Sequence, residues 1–359
     1  MPVKRLIYVC LFIGLSIAGC LQARTRLSLD SLERLLDLPA IGVPIVQYSP
    51  ETEWVLGGAV QGYFRCKNQS RSSIVQLSGA YTFRHQWYLK TSGTVYFGRR
   101  TSWQLSYRLG YRDYPDSWYE RGNRYEWKES ESYTSQRFNA SLQPLYVLPR
   151  HWAIGPDINA IWEKTSLWKE QAMMGIGVMA QYDTRDQQFY PSKGLFFSIS
   201  CSNYEPLNHR YRRVAIIKTD LRNSVPIYKS LLFAWQHISQ WAIGKDIPNP
   251  MLPTLGGEDM LRGIPQNMYR DNALWALQTE LRFPIYRLLR GTVFASIGDV
   301  YNLDKWRWAV PKVGYGLGLR LCINRIKVNV RLDVARNNVY KRWDTWESYS
   351  VYFTAIEAF

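Results

Sequence analysis

Few residues of this chain are arranged for catalysis. The sequence holds no His-Glu-x-x-His, Gly-x-Ser-x-Gly or P-loop pattern, and no Cys/His cluster with metal-site spacing. The arrangement that best suits nucleophilic chemistry is His237-Ile238-Ser239, because a histidine beside a serine can activate the hydroxyl. The alternative is a pair of polar residues near the interfacial end of a strand. We therefore predict a protein that is not an enzyme, with no metal and no cofactor.

Alternating apolar and polar residues predict the strands that position these side chains. Residues 326–334 read Ile-Lys-Val-Asn-Val-Arg-Leu-Asp-Val, and this period of two recurs along the chain. The polar face here carries four side chains, three of them charged, which is more charge than a sheet on a soluble core usually presents. A strand with one apolar and one highly charged face is typical of a wall between lipid and water, as in a transmembrane β-barrel.

The first residues predict export. Lys4 and Arg5 precede an uncharged run, Leu6 to Ala18, which is too short for a membrane-spanning helix but typical of a secretory signal peptide. The tetrad that ends at Cys20 resembles a bacterial lipobox, in which the cysteine is lipidated, and cleavage after Ala23 is the alternative. We expect a signal peptide at 1–20, a short periplasmic segment at 21–38 and a barrel at 39–359.

Composition agrees with a barrel and argues against nucleic acid. Aromatic residues make up 15% of the chain, with 15 Trp and 25 Tyr, yet the mean hydropathy is only −0.29. Alternating strands with interfacial Trp and Tyr combine these two properties. The formal charge of +16 is not accompanied by a basic helix, zinc spacing or an RNA-binding signature. A basic lumen, or basic loops against anionic lipid headgroups and lipopolysaccharide, explains this charge better.

The pattern predicts sixteen strands joined by loops that sort into short and long. With the N-terminus in the periplasm, the long loops lie outside the cell, as in outer-membrane barrels of Gram-negative bacteria. The predicted fold is an all-β, 16-stranded antiparallel transmembrane barrel. The strands are Ile41–Tyr48, Trp54–Cys66, Ser73–Arg84, Trp87–Gly98, Ser102–Asp113, Thr134–Leu148, Trp152–Trp162, Met173–Asp183, Gly194–Asn203, Tyr211–Ser224, Ser230–Trp241, Leu274–Ile285, Thr292–Gly298, Gly314–Cys322, Arg325–Ala335 and Tyr349–Phe359.

Strand parity predicts which side chains face the lumen. Gln278, Glu280 and Arg282 alternate with apolar neighbours and are expected inside. Three glycines of the strand 314–322 share that face with Arg320. Glycines within a strand often mark the close approach of another backbone. We therefore expect some element to lie against this part of the wall.

The longest loop carries a family resemblance. Its residues Thr254 to Ile264 include Gly256, Gly257 and the sequence Leu261-Arg262-Gly263-Ile264. This resembles the hydrophobic-Arg-Gly-aromatic signature in the sixth loop of BamA/TamA-type barrels, the bacterial surface antigen family. Further matching segments follow in the family's order, and the terminal phenylalanine resembles an outer-membrane targeting signal. These segments are Tyr48–Thr52, Tyr182–Asp186, Tyr190–Gly194, Gly298–Val300 and Phe359.

The resemblance implies a sixth loop folded into the lumen and a weak lateral seam between the first and last strands. Arg262 corresponds to the loop arginine, which carboxylates on the following strands would hold, here Glu280 and Asp333. The family usually has an aspartate where this chain has Ser296, so Arg262 must depend on the other two acids or be held more weakly. The seam residues expected on the same basis are Val46, Tyr48, Val351, Phe353 and Phe359.

The same resemblance suggests a role in envelope biogenesis. Relatives carry periplasmic POTRA domains, and the segment at 21–38 is too short for one. We expect assembly, insertion or translocation of outer-membrane protein or lipid through the seam and lumen, with client proteins and a periplasmic or lipoprotein partner. The alternative is a passive pore or surface antigen. A remoter alternative is a lipid A deacylase-like enzyme, because His237 and Ser239 resemble the His-x-Ser pair of outer-membrane lipid A deacylases.

Overall fold

The computed structural model describes most of the expected barrel. The described residues are 40–49, 53–65, 71–98, 101–124, 131–188, 190–208, 212–286, 288–303, 310–322, 329–339 and 349–354. The predicted signal peptide with Cys20, the segment 21–38 and the terminal Phe359 lie outside these ranges, so those predictions stay untested.

The described strands close into one antiparallel barrel of sixteen, which confirms the predicted fold class. Two further short strands, β12 and β13, pair with each other apart from the barrel. Each barrel strand pairs with its neighbour in sequence, β11 pairs with β14, and β18 returns to β1. The strands are β1 (Ala40–Ser49), β2 (Glu53–Phe64), β3 (Ser73–Thr82), β4 (Trp87–Phe97), β5 (Trp103–Trp118), β6 (Glu131–Val147), β7 (Trp152–Thr165), β8 (Gln171–Asp183), β9 (Gly194–Pro206), β10 (Val214–Tyr228), β11 (Leu231–Ile243), β12 (Thr254–Leu255), β13 (Tyr269–Arg270), β14 (Ala273–Tyr286), β15 (Leu289–Tyr301), β16 (Lys312–Cys322), β17 (Asn329–Asn337) and β18 (Tyr349–Thr354).

Several strands extend further than the sequence pattern predicted. β5 and β6 continue their pairing to Trp118 and Glu131, inside a segment expected to be a loop. β10 continues to Tyr228 and passes Pro226 with an irregular register next to that proline. The predicted strand ended at Ser224. Proline lacks the amide hydrogen of a regular ladder, but it is tolerated at bulges. Pairing with the neighbouring strand therefore overrides the local signal.

The two faces of the wall differ as the parity predicted. Large apolar side chains such as Ile176, Val178 and Leu317 are exposed on the outer face, while Glu280 and Arg282 are buried on the opposite face. This arrangement gives lipid an apolar surface and leaves the polar residues inside the closed wall. Among the residues that the structure describes, no helix has the length and apolar character needed to span a membrane.

The turn between β8 and β9 crosses the end of the barrel where the short turns lie. On one side, Asp183 pairs with Arg71, which precedes β3, at 3.4 Å. On the other side, the buried ring of Tyr190 lies between the guanidinium groups of Arg282 and Arg290, 4.9 and 4.8 Å from its centroid. The turn therefore contacts two distant parts of the wall.

Candidate functional site

The segment between β11 and β14 is an ordered loop with its own apolar core. Leu255, Leu261, Ile264 and Met268 have no exposed surface and pack together with the start of β14. A turn closes the motif, because the amide of Leu261 donates to the carbonyl of Gly257 at 3.0 Å. The glycines at 256, 257 and 263 have φ of 120°, 91° and 92°, which other residues adopt with strain. Glycine at these positions therefore shapes the loop that presents Arg262.

Arg262 lies at the centre of the site. Its side chain is fully buried, with Nη2 2.6 Å from Glu280 Oε1 on β14 and Nη1 3.0 Å from Asp333 Oδ2 on β17. The guanidinium also stacks over the ring of Phe294 on β15, 3.7 Å from its centroid. We call Arg262, Glu280 and Asp333 the loop anchor. A buried guanidinium between two carboxylates fixes position strongly, because neither charge can return to water without moving the loop.

Three further arginines surround the loop anchor. Arg282 lies 2.6 Å from Glu280, and Arg320 pairs with Asp333 and lies 3.6 Å from Glu280. Arg331 lies 2.7 Å from the loop residue Glu258. Each anchor carboxylate therefore has a second cation from the wall itself, so Glu280 and Asp333 both keep a cationic partner when the loop moves away.

The backbone of the loop also contacts the last strands. The amide of Gly263 donates to the hydroxyl of Tyr352 on β18 at 3.2 Å, and Asn337 Nδ2 donates to the carbonyl of Gly263 at 2.6 Å. A Cβ on Gly314 would overlap the carbonyl oxygen of Arg262. The loop thus approaches β16 closely at Gly314, whereas a Cβ on Gly316 or Gly318 would meet atoms of β15, β16 and β17 instead.

Ser296 occupies the position where the family pattern has an aspartate, but it does not supply that residue's negative charge. Its hydroxyl donates to the carbonyl of Gly314 at 3.2 Å and so holds neighbouring strands together. The positive charge of Arg262 is met by Glu280 and Asp333 instead.

The junction between β1 and β18 is described through three residue pairs. Val46 faces Phe353, Gln47 faces Tyr352 and Tyr48 faces Val351. The loop contact at Tyr352 therefore lies at the strand that closes the barrel. The side chain of Tyr48 is outside the described residues.

Other candidate residues are less well placed for chemistry. Ser239 Oγ lies 3.4 Å from His237 Nε2, a long contact for proton transfer. Arg185 Nε donates to Asp183 at 2.9 Å, and the amide of Ser192 donates to Asp186 at 2.9 Å, so these residues serve the structure of the turn after β8. Within the part of the chain that is described, no group of three or more His, Cys, Asp or Glu residues could hold a metal ion.

Sequence reasoning missed some of the residues that hold the loop. Strand parity had put Arg320 and Arg331 on the inner face without linking them to the loop. Phe294 stands at the first position of the family's Phe-x-Asp-x-Gly pattern, but its contact with Arg262 was not predicted. Asn337 and Tyr352 gave no signal, because their contacts with the loop join residues far apart in sequence.

The family comparison covers most of the chain. The model of the Omp85 superfamily domain matches residues 75–354. A search of curated proteins found no match.

Solved structures share the barrel at low sequence identity. One is "The crystal structure of BamA from Haemophilus ducreyi lacking POTRA domains 1-3", with a TM-score of 0.58 at 13% identity over 88% of this chain and 69% of that one. CdiB from Acinetobacter baumannii gives 0.59 at 12% identity, over 88% and 58% of the two chains. CdiB from Escherichia coli gives 0.58 at 14% identity, over 88% and 62%. This chain thus spans less than two thirds of either CdiB, and at these identities the likeness establishes the fold.

Proposed function

This chain belongs to the Omp85 superfamily and lies in the outer membrane of a Gram-negative bacterium, and we propose that it inserts or translocates outer-membrane protein or lipid through a lateral seam. The seam is the junction of β1 and β18. In this proposal the loop between β11 and β14 is folded into the lumen, and the loop anchor sets its position. The partners are membrane lipid, lipopolysaccharide, a client protein and a periplasmic or lipoprotein partner.

The observation that carries this proposal is the hydrogen bond from Gly263 to Tyr352. It joins the anchored loop to the last strand at 3.2 Å, opposite Gln47 of the first strand. A loop that is fixed by buried ion pairs and bonded to the closing strand can pass a change in its position to the seam. An open edge of β1 or β18 would then offer unpaired backbone groups to a client strand, by β-augmentation.

The passive pore remains the second candidate, because the barrel encloses a cavity of about 730 Å³. A pore needs an open lumen, whereas an insertase needs a seam that opens. The two functions therefore differ in what a covalent bond across the seam would do.

The test is a disulfide across the seam, in a variant whose native cysteines are replaced. Val46→Cys with Phe353→Cys joins residues that face each other in register. Directly opposed residues in antiparallel strands lie close enough for a disulfide. We expect the oxidised variant to lose complementation of a deletion strain, and to stop accelerating the folding of a urea-unfolded eight-stranded barrel into vesicles. Reduction should restore both.

A matched control links Val46 to the strand on the other side of β1, which is β2. Val46 faces Leu56 of β2, so Val46→Cys with Leu56→Cys adds an equivalent disulfide away from the seam. This control should leave both activities intact. Full activity of the seam-locked protein would rule out lateral opening and favour the pore.

A further inference from the structure

The cavity inside the barrel is polar and is separate from the loop anchor. It has a volume of about 730 Å³ and is lined by residues of β3 to β11 and of the turn after β8. This volume is in the range of cavities that take small ligands. The loop anchor does not line it.

Most charges that line the cavity are compensated. Asp157 makes no ion pair with a described residue, and its two oxygens accept hydrogen bonds from Gln143 Nε2 at 2.8 Å and from Ser202 Oγ at 2.7 Å. Three of the lining cations are paired with carboxylates. They are Arg185 with Asp183 at 2.9 Å, Arg222 with Asp220 at 2.5 Å and Arg137 with Glu163 at 3.9 Å.

Two lining cations stand apart from these pairs. Arg108 on β5 and Lys218 on β10 both face the cavity, both are exposed to it, and neither makes an ion pair with any described residue. Lys218 lies within electrostatic range of the positive charges of Arg108 and Arg137 and of the negative charge of Asp157. Two like charges that face one space repel each other, and an anion between them removes that repulsion.

Neutral donors lie beside Arg108. Arg108 faces Ser141 on β6, and Ser141 faces Asn159 on β7, so the three form one row across adjacent strands. The Nδ2 of Asn159 is buried and donates to none of the described groups. Guanidinium, ammonium, hydroxyl and amide donors with few free acceptors are the groups that bind oxyanions.

We infer that the cavity binds a phosphate group between Arg108 and Lys218, with Ser141 and Asn159 as further donors. The phosphate belongs either to a small soluble molecule or to the headgroup of a lipid. This site depends neither on the seam nor on the loop anchor, so it stands or falls separately from the proposed function.

The test follows thermal unfolding of the full-length protein in zwitterionic detergent, with sodium phosphate replacing sodium chloride at constant ionic strength. We expect phosphate to raise the unfolding temperature of the wild type along a saturating curve. In Arg108→Gln/Lys218→Gln, the half-saturating concentration should rise at least about tenfold. Without phosphate this variant should unfold at a temperature close to that of the wild type, because it loses both the repulsion between Arg108 and Lys218 and the attraction of Lys218 to Asp157. A stable variant that no longer responds is therefore distinct from a misfolded one.

Controls separate the site from general charge effects and identify the source of the phosphate. Lys245→Gln removes an exposed charge that does not line the cavity, and its response should match the wild type. Equal responses of the wild type and the double variant would overturn the inference. Phosphatidylglycerol in mixed micelles, compared with a phosphate-free glycolipid, forms the lipid arm. Stabilisation by phosphatidylglycerol without an effect of inorganic phosphate identifies a lipid headgroup as the ligand. Stabilisation by inorganic phosphate without an effect of phosphatidylglycerol identifies a soluble ligand. If neither compound stabilises the protein, the proposed site is wrong.

Discussion

We propose that the buried charge of Arg262 sets the position of the long loop. Two carboxylates meet it, from β14 and from β17, and the ring of Phe294 covers one face of the guanidinium. The serine at 296 adds a neutral hydrogen bond between strands and no charge. Glu280 and Asp333 thus supply the negative charge that the family pattern assigns partly to an aspartate at position 296. The serine at that position therefore does not remove the ionic contacts of the loop.

We predict that Arg262→Ala releases the loop and leaves the barrel folded. Glu280 keeps Arg282 at 2.6 Å and Asp333 keeps Arg320, so the wall retains compensated charges. Loss of a buried pair typically costs roughly 3–5 kcal/mol, and here this cost falls on docking of the loop. Limited proteolysis should cut the variant between β11 and β14, while heat-modifiable migration on a gel remains that of a folded barrel.

The matched control is Arg84→Ala. Arg84 pairs with Glu53 at 3.1 Å, but both side chains are 46% exposed. Such a surface pair contributes about 0–1 kcal/mol, so the protease pattern should not change. Equal protection of the loop in Arg262→Ala and in the wild type would refute the anchoring role of Arg262.

Among the elements, the turn between β8 and β9 has contacts that an ordinary short turn lacks. Asp183, where β8 ends and the turn begins, forms an ion pair with Arg71. In the turn, the ring of Tyr190 contacts the guanidinium groups of Arg282 and Arg290. The turn also forms part of the lining of the cavity, through Arg185 and Gln188. The contacts with the three distant arginines reach from the strands near β3 to β14 and β15 at the end of the barrel where the short turns lie.

We predict that Tyr190→Ala widens this end of the barrel. The variant removes the ring that two guanidinium groups hold, so the turn loses its contact with β14 and β15. Single-channel conductance in planar bilayers should rise above that of the wild type. Tyr228→Ala, which removes a tyrosine that is 66% exposed beside another short turn, should not change it. If conductance stays the same in both variants, the turn does not limit passage.

Elements were easier to predict from the sequence than the contacts between them. The sixteen strands and their inward faces follow from a period of two, because each strand is apolar on one side and polar on the other. The ends of β5, β6 and β10 did not follow, because pairing with a neighbour carried the strands past residues that favour loops. The turn between β8 and β9 matched family segments in the sequence, but its partners Arg71, Arg282 and Arg290 lie far away along the chain and could not be predicted.

At the scale of the whole molecule, the loop and the seam form one connected system. The loop anchor joins the loop to β14 and β17, and Gly263 joins it to Tyr352 on β18. The strand β18 then faces β1 at Gln47. A displacement of the loop therefore changes the hydrogen bonding of the strand that closes the barrel, and the sequence could not reveal this link because Tyr352 lies 89 residues from Gly263.

This connection predicts that Tyr352→Phe loosens the seam while the loop stays anchored. The variant removes the hydroxyl that accepts from Gly263 and keeps the ring, and loss of one neutral hydrogen bond costs roughly 0.5–1.5 kcal/mol. In a variant carrying Phe353→Cys as its single cysteine, a maleimide should label that cysteine about twofold to tenfold faster when Tyr352→Phe is present. Tyr315→Phe, on the outer face at 41% exposure, should leave the labelling rate unchanged. If Tyr352→Phe also has no effect, the loop does not act on the seam through this bond. The anchor would then hold the loop without controlling how the barrel closes.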